Sequence, residues 1–117
     1  EKGLVFMNTP GYDPMSITGM VAGGANIICF TTGRGTVIGT KPSPCIKLAS
    51  NSQIFERLYY DMDINCGEVG SKKDGLNVVG ESIFRKILKV ASGSRVKSEN
   101  FPFGDYEFIP LQPGIFT

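Results

Sequence analysis

Short apolar runs alternate with helical patterns along this chain of 117 residues, and that alternation is what most restricts its fold. Residues 4–7, 25–30 and 45–49 are largely apolar and end in polar turns, as expected of strands buried on both faces. Strands separated by helices predict a parallel sheet with helices packed on its faces. We therefore expect a three-layer α/β fold with a mostly parallel sheet, Rossmann-like or flavodoxin-like, in a single domain.

Three stretches predict the helices. The first opens at Asp13-Pro14, where a carboxylate can cap free N–H groups and proline suits the first helical position, and it ends at Gly23-Gly24. The second covers residues 53–60. The third and clearest covers residues 77–92, and its apolar side chains form one stripe at the i, i+3, i+4, i+7 spacing: Gly80, Ile83, Phe84, Ile87, Leu88 and Ala91.

Three further segments carry weaker signals. Residues 36–39 read as a short extended piece, and Met62 with Ile64 predicts a short strand or an ordered loop. The end of the chain is aromatic and rich in proline, and we expect it to lie against the body of the domain or against another domain. Its apolar side chains are Phe101, Phe103, Tyr106, Phe108 and Ile109.

Composition excludes several classes of function. A net charge of +1 gives no reason to expect nucleic acid or a membrane surface as a partner, and no apolar stretch approaches the length of a membrane span. Three cysteines without CxxC spacing argue against a disulfide scaffold and predict a cytoplasmic protein, with Cys29 and Cys45 filling core space on strands. The chain starts Glu-Lys and reads as one domain, residues 1–117, cut from a longer protein.

Histidine is absent from the chain. This removes the commonest general base, the usual zinc and iron ligand, and any nucleophile activated by histidine. A domain of this composition that does chemistry unaided must use Lys, Tyr, Asp, Glu or Cys. Otherwise the base and the metal ligands lie in another part of a larger enzyme.

Residues 30–36, Phe-Thr-Thr-Gly-Arg-Gly-Thr, are the strongest candidate for ligand contact. The hydroxyls of Thr31 and Thr32, the backbone N–H groups around Gly33 and Gly35, and the Arg34 guanidinium are what a small polyoxygenated anion requires. The alternative is an ordinary β-turn with a solvated arginine. This segment alone leaves both interpretations open.

Two lysines are candidates for charge stabilisation or proton transfer. Lys41 precedes the rigid Pro-Ser-Pro segment, which fixes its direction, so functional and structural interpretations are equally open. Lys47 lies inside an apolar strand pattern. It either pairs with a carboxylate at an edge or serves as a base or enolate stabiliser with a lowered pKa.

The remaining polar candidates have structural explanations, which their sequence contexts favour over ligand binding. Thr9 and Asp13 could touch a ligand or a metal, or serve the turn and cap before the first helix. Asn51 could hold a substrate hydroxyl or cap the second helix. Asp61 and Asp63 share one side of an extended segment and could bind a divalent cation, but the pattern favours ordinary alternation of polar residues on a half-exposed strand.

The polar loops follow predicted strands in three places, residues 8–13, 31–36 and 50–52. In parallel α/β sheets the loops beyond the carboxyl ends of the strands form the ligand crevice. The order of elements therefore predicts that Thr9, the loop at 31–36 and Asn51 converge on one edge. No glycine-rich nucleotide fingerprint or Walker loop is present.

Nearly the whole chain resembles the C-terminal domain of the altronate/galactarate dehydratase family. The motifs that carry the resemblance are, in order, residues 3–14, 18–19, 22–26, 30–35, 41–42, Pro44, 46–48, 50–51, 61–67, 91–93, 97–99 and 107–110. Thr-Pro-Gly-Tyr-Asp-Pro and Thr-Thr-Gly-Arg-Gly resemble the altronate branch more than the galactarate branch. Pro-Leu-Gln at 110–112 departs from the Pro-Trp frequent in the family, which affects only the tail.

The resemblance implies a cytoplasmic hydro-lyase that removes water from altronate to leave 2-keto-3-deoxygluconate, with a divalent metal, usually Fe²⁺ or otherwise Mn²⁺. In that reaction a base takes the proton α to the carboxylate, cations stabilise the enediolate, and the β-hydroxyl leaves. Arg34 is then expected to hold the carboxylate, and Lys41 or Lys47 to neutralise developing charge. Thr31, Thr32 and Asn51 would hold substrate hydroxyls.

The same resemblance leaves alternatives open. The family's enzymes are several times longer, so we expect the N-terminal domains of the same chain as partners, and an inactive fragment when the domain stands alone. The substrate could be galactarate, or a related lyase could eliminate sulfite. The domain could also be purely structural, supplying packing support or a homodimer interface. The sequence identifies no metal ligand.

Overall fold

The structure is a computed structural model that describes residues 2–102, Gly104 and Ile109. Three strands form a parallel sheet in the order of the chain: β1 (Ile28–Thr32), β2 (Cys45–Ala49) and β3 (Ile64–Asn65). Ile28 pairs with Cys45 and Thr32 with Ala49, so β1 and β2 run side by side over their full length. The prediction of a parallel α/β fold is confirmed.

Helices cover both faces of the sheet. They are α1 (Asp13–Ala22), α2 (Ser52–Arg57) and α3 (Gly75–Ala91), with two 3₁₀ turns at Gly67–Gly70 and Lys97–Asn100. On one face Ile46 and Leu48 of β2 pack beneath Ile83 and Ile87 of α3. On the opposite face the apolar contacts of α1 gather around Cys45, and those of α2 around Ala49.

The segment at residues 4–7 is not a strand, contrary to the sequence prediction. It runs outside the sheet and lies near the end of α1, and Leu4 and Phe6 are 104% and 92% exposed. Apolar composition alone cannot place a strand in a sheet, because a ladder also needs a neighbouring strand to share its hydrogen bonds. Residues 36–39, predicted as an extended piece, also form no strand.

The other boundaries differ only at their ends. The first helix begins at Asp13, as predicted, but Tyr12 is its N-cap residue and no side chain caps it. Asp13 lies in the first turn, where a carboxylate interacts favourably with the helix dipole. The helix of residues 77–92 begins two residues earlier than predicted, at Gly75.

The apolar stripe of α3 is only partly buried. Ile83 and Ile87 pack into the core, whereas Phe84 and Leu88 are 56% and 51% exposed. The sequence pattern gives the width of an apolar sector but not how much of that sector one sheet can cover. The tail prediction falls partly outside the described residues, namely at Phe103, Tyr106 and Phe108. Ile109 donates its N–H to Thr18 Oγ1 of α1 at 3.1 Å.

The cysteines separate into two environments. Cys45 is fully buried in the core, and burial raises the pKa of its thiol to about 12. Cys29 is exposed, contrary to the prediction that it fills core space, because its side of β1 carries no covering element among the described residues. None of the helices described here is long and apolar enough to cross a membrane.

Candidate functional site

The loop at residues 31–36 leaves the carboxyl end of β1 as a tight turn. Thr32 Oγ1 accepts a hydrogen bond from the backbone N–H of Gly35 at 3.0 Å. Gly35 has φ +91°, and a Cβ at this position would lie only 2.0 Å from Leu58 Cδ1. The turn therefore depends on glycine at position 35, and the Thr32 hydroxyl serves the turn itself.

Asn51 ties this loop to the start of α2. Its Oδ1 accepts from the backbone N–H of Ile54 at 2.9 Å, and its Nδ2 donates to the Gly33 carbonyl at 3.1 Å. The backbone adds a third link, because the N–H of Ser50 donates to the Thr32 carbonyl at 2.9 Å. The interpretation of Asn51 as a helix cap is confirmed. The same amide also holds the loop in place.

Replacement of Asn51 by aspartate tests this double role. Aspartate is an equally good N-cap, but it loses the bond to Gly33 and places a carboxylate against a carbonyl oxygen. We expect Asn51→Asp to lower the free energy of unfolding of the 117-residue chain by about 1 kcal/mol, and Asn51→Ala by about 2 kcal/mol. Urea denaturation measures both. The exposed Asn26→Asp is the control, and equal stability of Asn51→Asp and wild type would contradict the assignment.

Two arginines lie at this edge. Arg34 is exposed in the turn, and Arg57, exposed in the last turn of α2, donates from Nη2 to the Arg34 carbonyl at 3.5 Å. Sequence reasoning missed Arg57. The available signal was its position in a helix that begins directly beyond the candidate loop. Together with the exposed hydroxyl of Thr31, this edge offers two cations and a hydrogen-bond donor to an anion.

Lys47 lies at the centre of the sheet, on the face that α1 and α2 cover. Its side chain is fully buried, and its Nζ has no hydrogen-bond partner among the described residues. Burial lowers the pKa of the Lys47 amine, while the nearby carboxylates of Asp61 and Asp63 act in the opposite direction. A buried amine without a partner is costly. Such groups are found disproportionately at functional sites.

Asp63 holds the backbone around this lysine. Its carboxylate is fully buried, accepts the backbone N–H groups of Lys47 at 2.9 Å and Lys97 at 3.1 Å, and lies 3.7 Å from Lys86 Nζ. These partners occupy the oxygens that a metal would need. Within the described residues no group of three or more histidine, cysteine, aspartate or glutamate side chains could hold a metal ion. The described residues therefore do not fit the metal that the resemblance implies.

The predicted site residues are only partly brought together. Thr31, Thr32, Gly33, Arg34, Gly35 and Asn51 share the carboxyl edge of the sheet, as the order of elements predicts. Lys41 lies four residues before β2, at the amino end of the sheet, where it lines a pocket of about 220 Å³ with Arg95 and Ser98. The hydroxyl of Thr9 shares a hydrogen bond with Ser16 Oγ of α1 at 2.7 Å.

Comparison with known proteins points to one family. A profile described as "D-galactarate/Altronate dehydratase, C-terminal" matches residues 1–116. The chain is 38% identical over 95 residues to the galactarate dehydratase (L-threo-forming) of Escherichia coli K12, covering 81% of this chain and 18% of that enzyme. It is 33% identical over 102 residues to the altronate dehydratase of Bacillus subtilis 168, covering 87% and 20%. The altronate dehydratase of E. coli K12 is 27% identical over 101 residues. The chain spans about a fifth of the length of these relatives.

Proposed function

Because the chain belongs to the family of C-terminal domains of D-galactarate and altronate dehydratases, we propose that it supplies the carboxylate-binding edge of the substrate site in a full-length sugar-acid hydro-lyase. The observation that carries this proposal is the loop at 31–36, which Asn51 fixes beside two exposed arginines. A loop that is fixed by hydrogen bonds and carries the Arg34 and Arg57 side chains is suited to bind an anionic, polyhydroxylated substrate.

In this proposal the arginines act on the charge that the reaction develops. Arg34 binds the substrate carboxylate through two parallel N–H donors, and Thr31 donates to a neighbouring hydroxyl. When the proton α to the carboxylate leaves, negative charge spreads onto the carboxylate oxygens, so a guanidinium there stabilises the transition state more than the ground state. Loss of the β-hydroxyl as water completes the elimination.

The base and the divalent metal, Fe²⁺ or Mn²⁺, lie in this proposal outside the described residues. Among the described residues Lys47 has a buried amine without a hydrogen-bond partner, and we assign it to charge compensation from the central strand. The isolated 117-residue chain is accordingly inactive. A cytoplasmic location agrees with the three cysteines, all of which are free.

Arg34→Ala in the full-length enzyme tests the proposal. We expect kcat/KM to fall at least ~100-fold, since charge-assisted hydrogen bonds contribute about 1.5–3 kcal/mol each. Arg34→Lys, which keeps the charge but not the paired donors, should recover only part of the loss. The control is Arg85→Ala, because Arg85 is also exposed but pairs with Glu81 on α3. Unchanged turnover of Arg34→Ala would make the domain a scaffold.

A substrate panel on the same enzyme separates the two branches of the family. The sequences of the Thr-Pro-Gly-Tyr-Asp-Pro and Thr-Thr-Gly-Arg-Gly motifs support altronate as the substrate, with 2-keto-3-deoxygluconate as the product. The 38% identity to a galactarate dehydratase supports galactarate. We place altronate first and expect its kcat/KM to exceed that of galactarate. The reverse order would assign the chain to the galactarate branch.

A further inference from the structure

On the face of the sheet that α3 covers, the side chains of β1 are exposed, whereas those of the neighbouring strand β2 are buried. Cys29 and Thr31 of β1 are exposed, although their register partners Ile46 and Leu48 on β2 are buried beneath α3. Partners in register on adjacent strands lie side by side on the same face of the sheet. The layer that contains α3 therefore stops one strand short of the sheet's edge.

The exposed apolar residues of α3 point toward this gap. At about 100° per residue, the apolar sector of the helix runs through about 180° from Val79, through Ile83 and Ile87, to Phe84 and Leu88. The sheet buries the half around Val79 and Ile83. Lys86, on the far side of the core residues, approaches Asp63 beside β3. The uncovered half therefore lies on the flank of α3 away from β3.

The uncovered half of α3 has the shape of a helix-packing surface. Leu76, Gly80, Phe84 and Leu88 are spaced four residues apart and form one ridge, with Leu76 72% exposed. A Cβ at Gly80 would have no atom within 4 Å, so the ridge has an open notch one turn from Phe84. Ridges of this spacing receive a second helix at about −50°, and a notch accepts a large side chain.

We propose that a helix from the part of the full-length dehydratase outside these 117 residues packs into the gap beside α3. It would lie against the Gly80–Phe84–Leu88 ridge and cover Cys29 of β1. The relatives are about five times longer than the chain, so their remaining residues are available to supply it. A second copy of this chain fits less well, because α3 carries Arg85, Lys86 and Lys89 but only Glu81 in opposition. The inference rests on family membership and not on the proposed substrate.

The thiol of Cys29 reports on this contact without measuring activity. In the native full-length enzyme we expect Cys29 to react with a maleimide at least tenfold more slowly than in Phe84→Glu, as read by mass spectrometry of the Cys29 peptide. Val78→Glu is the matched control, because Val78 is 52% exposed on the other side of α3. The control should keep Cys29 protected.

Two results would overturn the proposal. The first is equal reactivity of Cys29 in wild type and Phe84→Glu. The second is protection that disappears on dilution, which would identify a second copy as the cover. Gly80→Leu provides an independent test of the proposal. The leucine side chain would meet open space in this domain, but it would fill the notch that the partner helix needs. It should raise the urea midpoint of the 117-residue chain and still increase Cys29 labelling in the full-length enzyme at least tenfold.

Discussion

Asp63→Ala is expected to lower the free energy of unfolding of the 117-residue chain by about 3–5 kcal/mol, a large part of the roughly 5–15 kcal/mol that stabilises a typical domain. The carboxylate is fully buried and accepts two backbone N–H groups, those of Lys47 and Lys97. Removing it leaves both donors buried without partners, and each such donor costs about 1–3 kcal/mol. It also removes the counter-charge of Lys86.

Urea denaturation followed by circular dichroism measures this loss. Asp63→Asn keeps an acceptor oxygen for one of the two N–H groups, and it should lie between wild type and Asp63→Ala. Glu56→Ala, at an exposed carboxylate on α2, is the control and should change stability by less than about 0.5 kcal/mol. A loss of under 1 kcal/mol for Asp63→Ala would show that water or rearranged side chains replace the carboxylate.

Lys47→Met is expected to have the opposite effect and stabilise the chain by about 1–3 kcal/mol. Methionine fills a similar volume without the amine, which is fully buried and has no hydrogen-bond partner in the described residues. In the full-length enzyme the same variant should lose ~100-fold in kcat, the scale of one lost electrostatic stabiliser, because the proposed charge compensation by the amine is then absent. Stabilisation with full turnover would make Lys47 a residue without a catalytic role.

The pH dependence of stability provides a second readout for Lys47. Burial lowers its pKa in the folded state, so between that pKa and the unfolded value of 10.5 the unfolded chain binds more protons and stability rises with pH. Cys45 acts oppositely, because burial raises its pKa to about 12 and stability falls with pH above about 9. The Lys47→Met advantage should therefore shrink as pH rises toward 10.5. An advantage independent of pH up to about 10 would show that the amine keeps its proton in the folded chain and that burial does not lower its pKa.

The fold was largely predictable because its signals are local. The pattern of residues 45–49 gives β2 with its observed bounds, and α1 begins at the predicted Asp13. The error at residues 4–7 is of a different kind. Strand membership depends on a partner strand, and burial of Phe84 depends on a neighbouring element, so neither follows from the segment's own sequence.

The candidate site was predictable in position but not in detail. A polar loop after a buried strand located residues 31–36, since parallel strands end at a common edge. The two hydrogen bonds of the Asn51 side chain, and the one from Arg57 to the Arg34 carbonyl, depend on how α2 is oriented. No short sequence pattern specifies that orientation. Lys41 shows that closeness in sequence does not mean closeness in space. It is seven residues from Arg34 in the chain, but Arg34 lies at the carboxyl end of the sheet and Lys41 at the amino end.

The order of the strands also bears on how the chain finds its fold. Because β1, β2 and β3 are neighbours in both sequence and space, each pairing closes a short connection, residues 33–44 for the first and residues 50–63 for the second. The free-energy costs of closing loops of these two lengths differ by only about 0.1 kcal/mol, so loop closure does not favour either pairing over the other. The central strand takes part in both, which makes Ile46 and Leu48 the natural members of the folding nucleus.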